Sequence, residues 1–105
     1  MPTTNLEIPK NAVADFCRRW DISELALFGS VLRPDFRPES DVDVLVTFVP
    51  GSHWTLLDCV RMEQELTGIF GRPVDLVSRR AVEQSANPIR RRQILESAEP
   101  LDVAR

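Results

Sequence analysis

Leu25-Ala-Leu-Phe-Gly29-Ser30-Val-Leu-Arg33-Pro-Asp-Phe-Arg37-Pro-Glu-Ser40-Asp41-Val-Asp43-Val-Leu-Val46 decides how the chain folds. Two apolar runs of strand character flank it, the first closing on Gly29-Ser30 and the second opening on Asp41-Val42-Asp43. Side chains alternate faces along a strand, so the Asp41 and Asp43 carboxylates point the same way, about 7 Å apart along the chain. That span suits a divalent cation held between them. Val42, Val44, Val46 and Phe48 make one face, while Asp41, Asp43, Leu45 and Thr47 make the other, which is acidic only at its beginning. Two carboxylates on a buried strand are costly to desolvate and repel each other. Mg²⁺, a hard cation shared between carboxylates and substrate phosphate oxygens, relieves both costs. Gly29 lets the backbone approach a bulky anion, and the Ser30 hydroxyl with the amides after it can donate to phosphate oxygens if a short helix occupies 30–32.

The stretch resembles the signature of the DNA-polymerase-beta-like nucleotidyltransferase superfamily: Gly-Ser, ten residues, Asp-x-Asp, then a third carboxylate on a later strand. Gly29, Ser30, Asp41 and Asp43 fit that spacing with no insertion. Arg33 and Ser40 match positions often filled that way in its small members. The third carboxylate falls on Asp75, inside Arg72-Pro-Val-Asp75-Leu-Val-Ser78. A lone Gly-Ser or Asp-x-Asp would mean little; the specificity lies in an apolar strand abutting each half of the motif and an Asp inside a third apolar run.

The 105 residues allow one domain with a single core, residues 1–105, in which 1–8 form a loose lead-in. A net charge of -3 argues against a general nucleic-acid binder, which is usually basic. No apolar run approaches the ~20 residues of a membrane span, and the N-terminus lacks the basic and apolar regions of a signal peptide. A cytoplasmic location is therefore expected. Cys17 and Cys59 fall on apolar helix faces, which favours buried reduced thiols over a disulfide. His53 is the only histidine, which excludes a histidine-rich zinc site. Its place in a turn before a helix predicts an exposed or capping role.

Along the chain, Val13, Phe16, Cys17 and Trp20 recur at the spacing of one buried helix face beginning after Pro9. Trp20 then belongs to the core rather than to a ligand. A first strand is expected over 24–28 and a second over 42–49. Pro34 and Pro38 rule out regular structure between them. Ser52 is the expected N-cap of a helix reaching about Ile69, with Leu56, Leu57, Val60 and Leu66 toward the sheet and Glu63 and Glu65 toward solvent. Gly71 ends it. A third strand over 74–77 turns Asp75 away from Val74 and Leu76, so that pairing beside the second strand in matching register would join its carboxylate to the other two. A short helix over 78–84 follows, then one capped by Asn87 with Pro88 at its first position. A short edge strand is expected near Pro100. The sum is a small α/β (α+β) domain, a mixed sheet with the acids on one face and helices on the other.

Arg33 and Arg37 lie beside the acidic stretch, where loops commonly carry substrate contacts. Either they reach a triphosphate or they pair with Asp35 and Glu39. Arg79, Arg80, Arg90, Arg91 and Arg92 tilt the C-terminal third basic; a solvated face balanced by Glu96 and Glu99 is the default, and an electropositive edge for nucleotide phosphates the alternative.

The family resemblance implies the chemistry. Two Mg²⁺ ions would bridge Asp41, Asp43 and an ATP triphosphate, Asp75 would bind the catalytic ion and assist deprotonation of the acceptor hydroxyl, and Gly29, Ser30 and Arg33 would hold phosphates. An appended acceptor domain is not expected within the 105 residues, so the chain looks like the minimal nucleotidyltransferases, commonly encoded beside a HEPN-domain partner. In that resemblance it is the antitoxin of a type VII-like toxin-antitoxin pair, transferring AMP to a tyrosine of a HEPN ribonuclease toxin. A binding module that silences its partner by occlusion, and an enzyme modifying a small molecule such as an antibiotic, are the competing readings.

Overall fold

The computed structural model describes residues 9–29 and 41–101. The lead-in over 1–8, the helix expected over 30–32, and Ser30, Arg33, Arg37 and Ser40 lie outside them. The element order is α1 (Lys10–Arg19), β1 (Ile22–Phe28), β2 (Val42–Phe48), α2 (Leu56–Phe70), β3 (Val74–Ser78), α3 (Arg79–Glu83), α4 (Pro88–Ser97) and β4 (Glu99–Pro100). The strands form one mixed sheet in the order β3-β2-β1-β4. β1 runs antiparallel to both β2 and β4, whereas β2 and β3 are parallel. No helix among the described residues is long and apolar enough to cross a membrane.

Alternation along β2 divides the interior in two. Val42, Val44 and Val46 join Leu25 and Leu27 of β1 in a core covered by Val13, Phe16 and Cys17 of α1 and by Met62, Leu66 and Phe70 of α2. Leu45 points the other way, with Ala26 and Phe28, against Val82 of α3 and Ile94 of α4. The expectation of helices on one face is thus extended: α1 and α2 cover the face opposite the acids, and α3 and α4 close part of the acid-bearing face. Cys17 is buried and Cys59 half-buried, and neither forms a disulfide.

Two expectations about the start of α2 are corrected. Its N-cap is Thr55 rather than Ser52: the Thr55 hydroxyl accepts from the Asp58 amide while the Asp58 carboxylate accepts from the Thr55 amide. This reciprocal box satisfies two end donors, which a serine three residues earlier does not. Leu56, Leu57 and Val60 are 84%, 61% and 42% exposed, so the first turns of α2 overhang the sheet instead of facing it. Gly71, at φ 75°, ends the helix as expected, and His53 is exposed.

Glu63 and Glu65 were expected in solvent, yet both are structural. Arg19 and the Trp20 indole donate to Glu65, the latter at 2.8 Å, clasping α1 to α2. Burial alone would raise the Glu65 carboxyl, but these two donors outweigh it and hold it below the usual range. Trp20 also meets Trp54 edge to face at 5.1 Å between ring centres. Glu63 accepts from the Leu76 amide at 2.8 Å, and Thr67, one turn on, accepts from the Val74 amide at 3.2 Å. β3 is an edge strand of the described sheet, and α2 thereby satisfies its outward-facing donors.

Urea unfolding will separate the two ends of α2. Met62→Ala removes a fully buried side chain and is expected to cost about 2 to 5 kcal/mol, whereas Leu56→Ala is expected to stay within about 0.5 kcal/mol.

Candidate active site

Asp43 is the second residue of β2 and Asp75 the second residue of β3, and the parallel register places them directly beside each other. Partnered residues on adjacent strands share a face, with backbones about 4.8 Å apart. Val42 and Val74, the preceding pair, point into the first core and anchor both strands at this end. The Val42 amide donates to the Pro73 carbonyl at 2.8 Å, extending the pairing one residue beyond the strand. Because Thr67 and Glu63 hold the amides on either side of Asp75, its backbone is fixed from the edge as well.

β1 contributes the second wall. Phe28 pairs with Asp43 across the antiparallel ladder, and Gly29 follows at φ 77°, in the left-handed region. A Cβ on Gly29 would overlap Asp43 Oδ2 and lie 3.2 Å from its Cγ. Glycine is therefore required twice, by its backbone angle and by the carboxylate pressed against it.

Phe28, Gly29, Asp43 and Asp75 line an open cleft of about 710 Å³ whose far wall is α4, through Arg90 and Gln93. Asp41 immediately precedes β2, is exposed, and does not line this cleft. Its charge still reaches Asp43. Burial first, then the negative charges of Asp75 and Asp41, push the Asp43 carboxyl above the usual range, and Arg90 partly offsets them. Among the described residues no three His, Cys, Asp or Glu side chains are gathered tightly enough to form a ready-made cation cage. The donor set nevertheless fits a hard cation: oxygen donors only, with a desolvated carboxylate whose like-charged neighbours need neutralising.

Of the residues singled out from the sequence, the structure brings Gly29, Asp43 and Asp75 to one cleft and sets Asp41 at its edge. Sequence reasoning missed Glu63 and Thr67 as supports of Asp75, because their contact with β3 is non-local. It made no reading of Gln93, and it placed Arg90 on a solvated face by default, with an electropositive edge for nucleotide phosphates as the alternative. Their one visible signal was the spacing 90, 93, 94, 97, which places polar residues on the same helix face as buried Ile94.

Comparison with known proteins agrees with this architecture. Residues 10–101 match the family model described as nucleotidyltransferase domain. A Methanocaldococcus jannaschii protein named as a candidate protein adenylyltransferase is 29% identical over 90% of this chain and 95% of its own. The protein adenylyltransferase MntA of Thermococcus cleftensis is 38% identical over 56% of this chain and 58% of its own. Among solved structures, a candidate minimal nucleotidyltransferase superimposes with a TM-score of 0.66 at 40% identity, covering 88% of both chains. A toxin-antitoxin complex with AMP-PNP gives 0.69 at 21% identity, over 93% of this chain and 76% of that one. A complex of a tri-AMPylated Shewanella oneidensis HEPN toxin with its MNT antitoxin gives 0.59, also at 21%, over 90% and 70%. The last two show a shared fold.

Two outcomes test the geometry. Gly29→Ala is expected to destabilise the protein more than Gly71→Ala: both positions carry positive φ, worth roughly 1 to 2 kcal/mol, but only at Gly29 does the new methyl meet a side chain. Asp43 binds its proton more tightly in the folded than in the unfolded state, so its ionisation costs stability as pH rises through and above the ordinary carboxylate range. Without divalent metal, Asp43→Asn should melt higher than the wild type at pH 7, and the gap should narrow toward about pH 4. Equal melting temperatures at pH 7 would contradict this.

Proposed function

Because this chain belongs to the nucleotidyltransferase domain family, we propose that it transfers AMP from ATP to a protein hydroxyl, the tyrosine of a HEPN ribonuclease toxin, and so acts as that toxin's antitoxin. The observation that carries this reading is the side-by-side placement of Asp43 and Asp75 in an open cleft next to Gly29. Relatives named as protein adenylyltransferases, and structural neighbours that pair an MNT antitoxin with an AMPylated HEPN toxin or hold AMP-PNP, support the substrate and the acceptor.

Asp41, Asp43 and Asp75 would hold Mg²⁺, with two ions as the expected number. When bound, the metal supplies Lewis-acid stabilisation of the charge that builds on the attacking and leaving oxygens. The protein does the rest. Gly29 leaves room for the phosphate chain, and Ser30 and Arg33 grip its distal end. Asp75 Oδ accepts the acceptor hydroxyl proton as the new oxygen-phosphorus bond forms at the α-phosphorus and pyrophosphate departs. Keeping the acids on paired strands costs no reorganisation at the moment of reaction.

Co-purification with the HEPN partner, incubation with ATP and Mg²⁺, and intact-mass measurement test this directly. The partner is expected to gain the mass of one or more adenylyl groups, and Asp41→Asn or Asp43→Asn should abolish the gain while the fold persists. A partner that stays unmodified yet silenced would establish occlusion instead.

A further inference from the structure

Five arginines lie on α3 and α4, and four are accounted for without any ligand. Arg79 pairs with Glu24 and Glu83, Arg91 donates to the Ser85 carbonyl at 3.1 Å, Arg92 pairs with Glu96, and Arg80 is exposed on α3 outside the cleft. Arg90 differs. Its side chain makes no hydrogen bond or ion pair among the described residues, yet it lines the cleft that holds Asp43 and Asp75.

The backbone explains why it stays there. Asn87 caps α4 by accepting from the Ile89 and Arg90 amides, both at 3.1 Å, and Pro88 fixes the first turn. One turn on from Arg90, Ile94 is buried in the second core against Ala26, Phe28 and Leu45. Arg90, Gln93 and Ser97, which flank Ile94 at helical spacing, consequently face the cleft. If Arg90 served only to neutralise Asp43, it should be paired with it, and it is not. A guanidinium held unpaired across a cleft from two carboxylates suits an anion lying between them, and a phosphate group is the anion that its planar donor fork matches best.

We propose that Arg90 is a substrate-binding residue that donates to the phosphate chain of the nucleotide from the α4 side of the cleft, opposite the Gly29 turn. This rests on the nucleotide-transfer reading above and adds to it a contact outside the Gly-Ser and Asp-x-Asp motif. Gln93, Ser97 and Glu96, the last paired with Arg92, continue the same wall beyond it.

Calorimetric titration of the whole chain with Mg²⁺ and α,β-methylene ATP, whose α-β bridge resists transfer, tests the assignment beside adenosine as the phosphate-free probe. Arg90→Ala should weaken the ATP analogue by about tenfold or more and leave adenosine and the melting temperature unchanged, since a charge-assisted bond is lost without a buried neighbour. Arg90→Lys should recover part of the loss, and Arg80→Ala, the same charge change on an exposed residue outside the cleft, should bind the analogue as the wild type does. In the transfer assay Arg90→Ala should raise KM for ATP more than it lowers kcat. Analogue binding within twofold of wild type for Arg90→Ala, or an equal loss for Arg80→Ala or for adenosine, would overturn the assignment and leave the functional reading standing. A wild type that binds no analogue would overturn both.

Discussion

The parallel pairing of β2 with β3 is the constraint on which the site depends. Side-chain alternation makes a one-residue slip turn a strand over, so the register that buries Val42 and Val74 also sets Asp43 beside Asp75. The hydrophobic core therefore holds two like charges together that would separate if free. The cost is visible in the raised Asp43 carboxyl. Edge strands slip most readily, and here α2 prevents it: Glu63 and Thr67 take the two outward amides of β3 on either side of Asp75.

The same arrangement explains why the site is open on one side. α1 and α2 seal the opposite face with large apolar side chains, whereas α3 and α4 place only Val82 and Ile94 against the acid-bearing face. What remains between the strand ends and α4 is a cleft of about 710 Å³, within the range typical of small-molecule and cofactor sites. One wall is acidic, made by Asp43 and Asp75. The other carries Arg90, and Glu96 on the same wall is paired with Arg92, so the proposed metal-bound polyphosphate would meet complementary charge on both sides.

Much of this was legible in the sequence wherever the cause is local. The apolar runs before Gly29 and after Asp41 are short and bounded by turn residues, which set β1 and β2, and the Asn87-Pro88 pair marked the start of α4. The alternation of Asp75 with Val74 and Leu76 was legible, but its register beside β2 entered only as a condition, one that the strand pairing meets. α2 was harder. Ser52 and Thr55 are both plausible caps, and the choice falls to Asp58, three residues after the threonine. Its leading Leu56, Leu57 and Val60 mimic a core face, but that end of the helix extends past the sheet, a fact of packing that periodicity does not carry. Glu63 was read as a solvated charge, and Arg90 as one by default with a phosphate-attracting edge as the alternative, because the groups they face lie on other elements, β3 and the strand ends.

The central claim is that a cation and a nucleotide meet at the Asp43-Asp75 pair. Paramagnetic broadening of backbone amide signals by Mn²⁺, in the presence of α,β-methylene ATP, locates the ion without relying on turnover. The account predicts that the amides of Gly29, Asp43 and Asp75 broaden first, followed by those of α4 around Arg90, and that Asp75→Asn weakens the effect. Broadening centred at the far end of the sheet, around Trp54 and Arg80, or spread evenly over surface carboxylates, would contradict it.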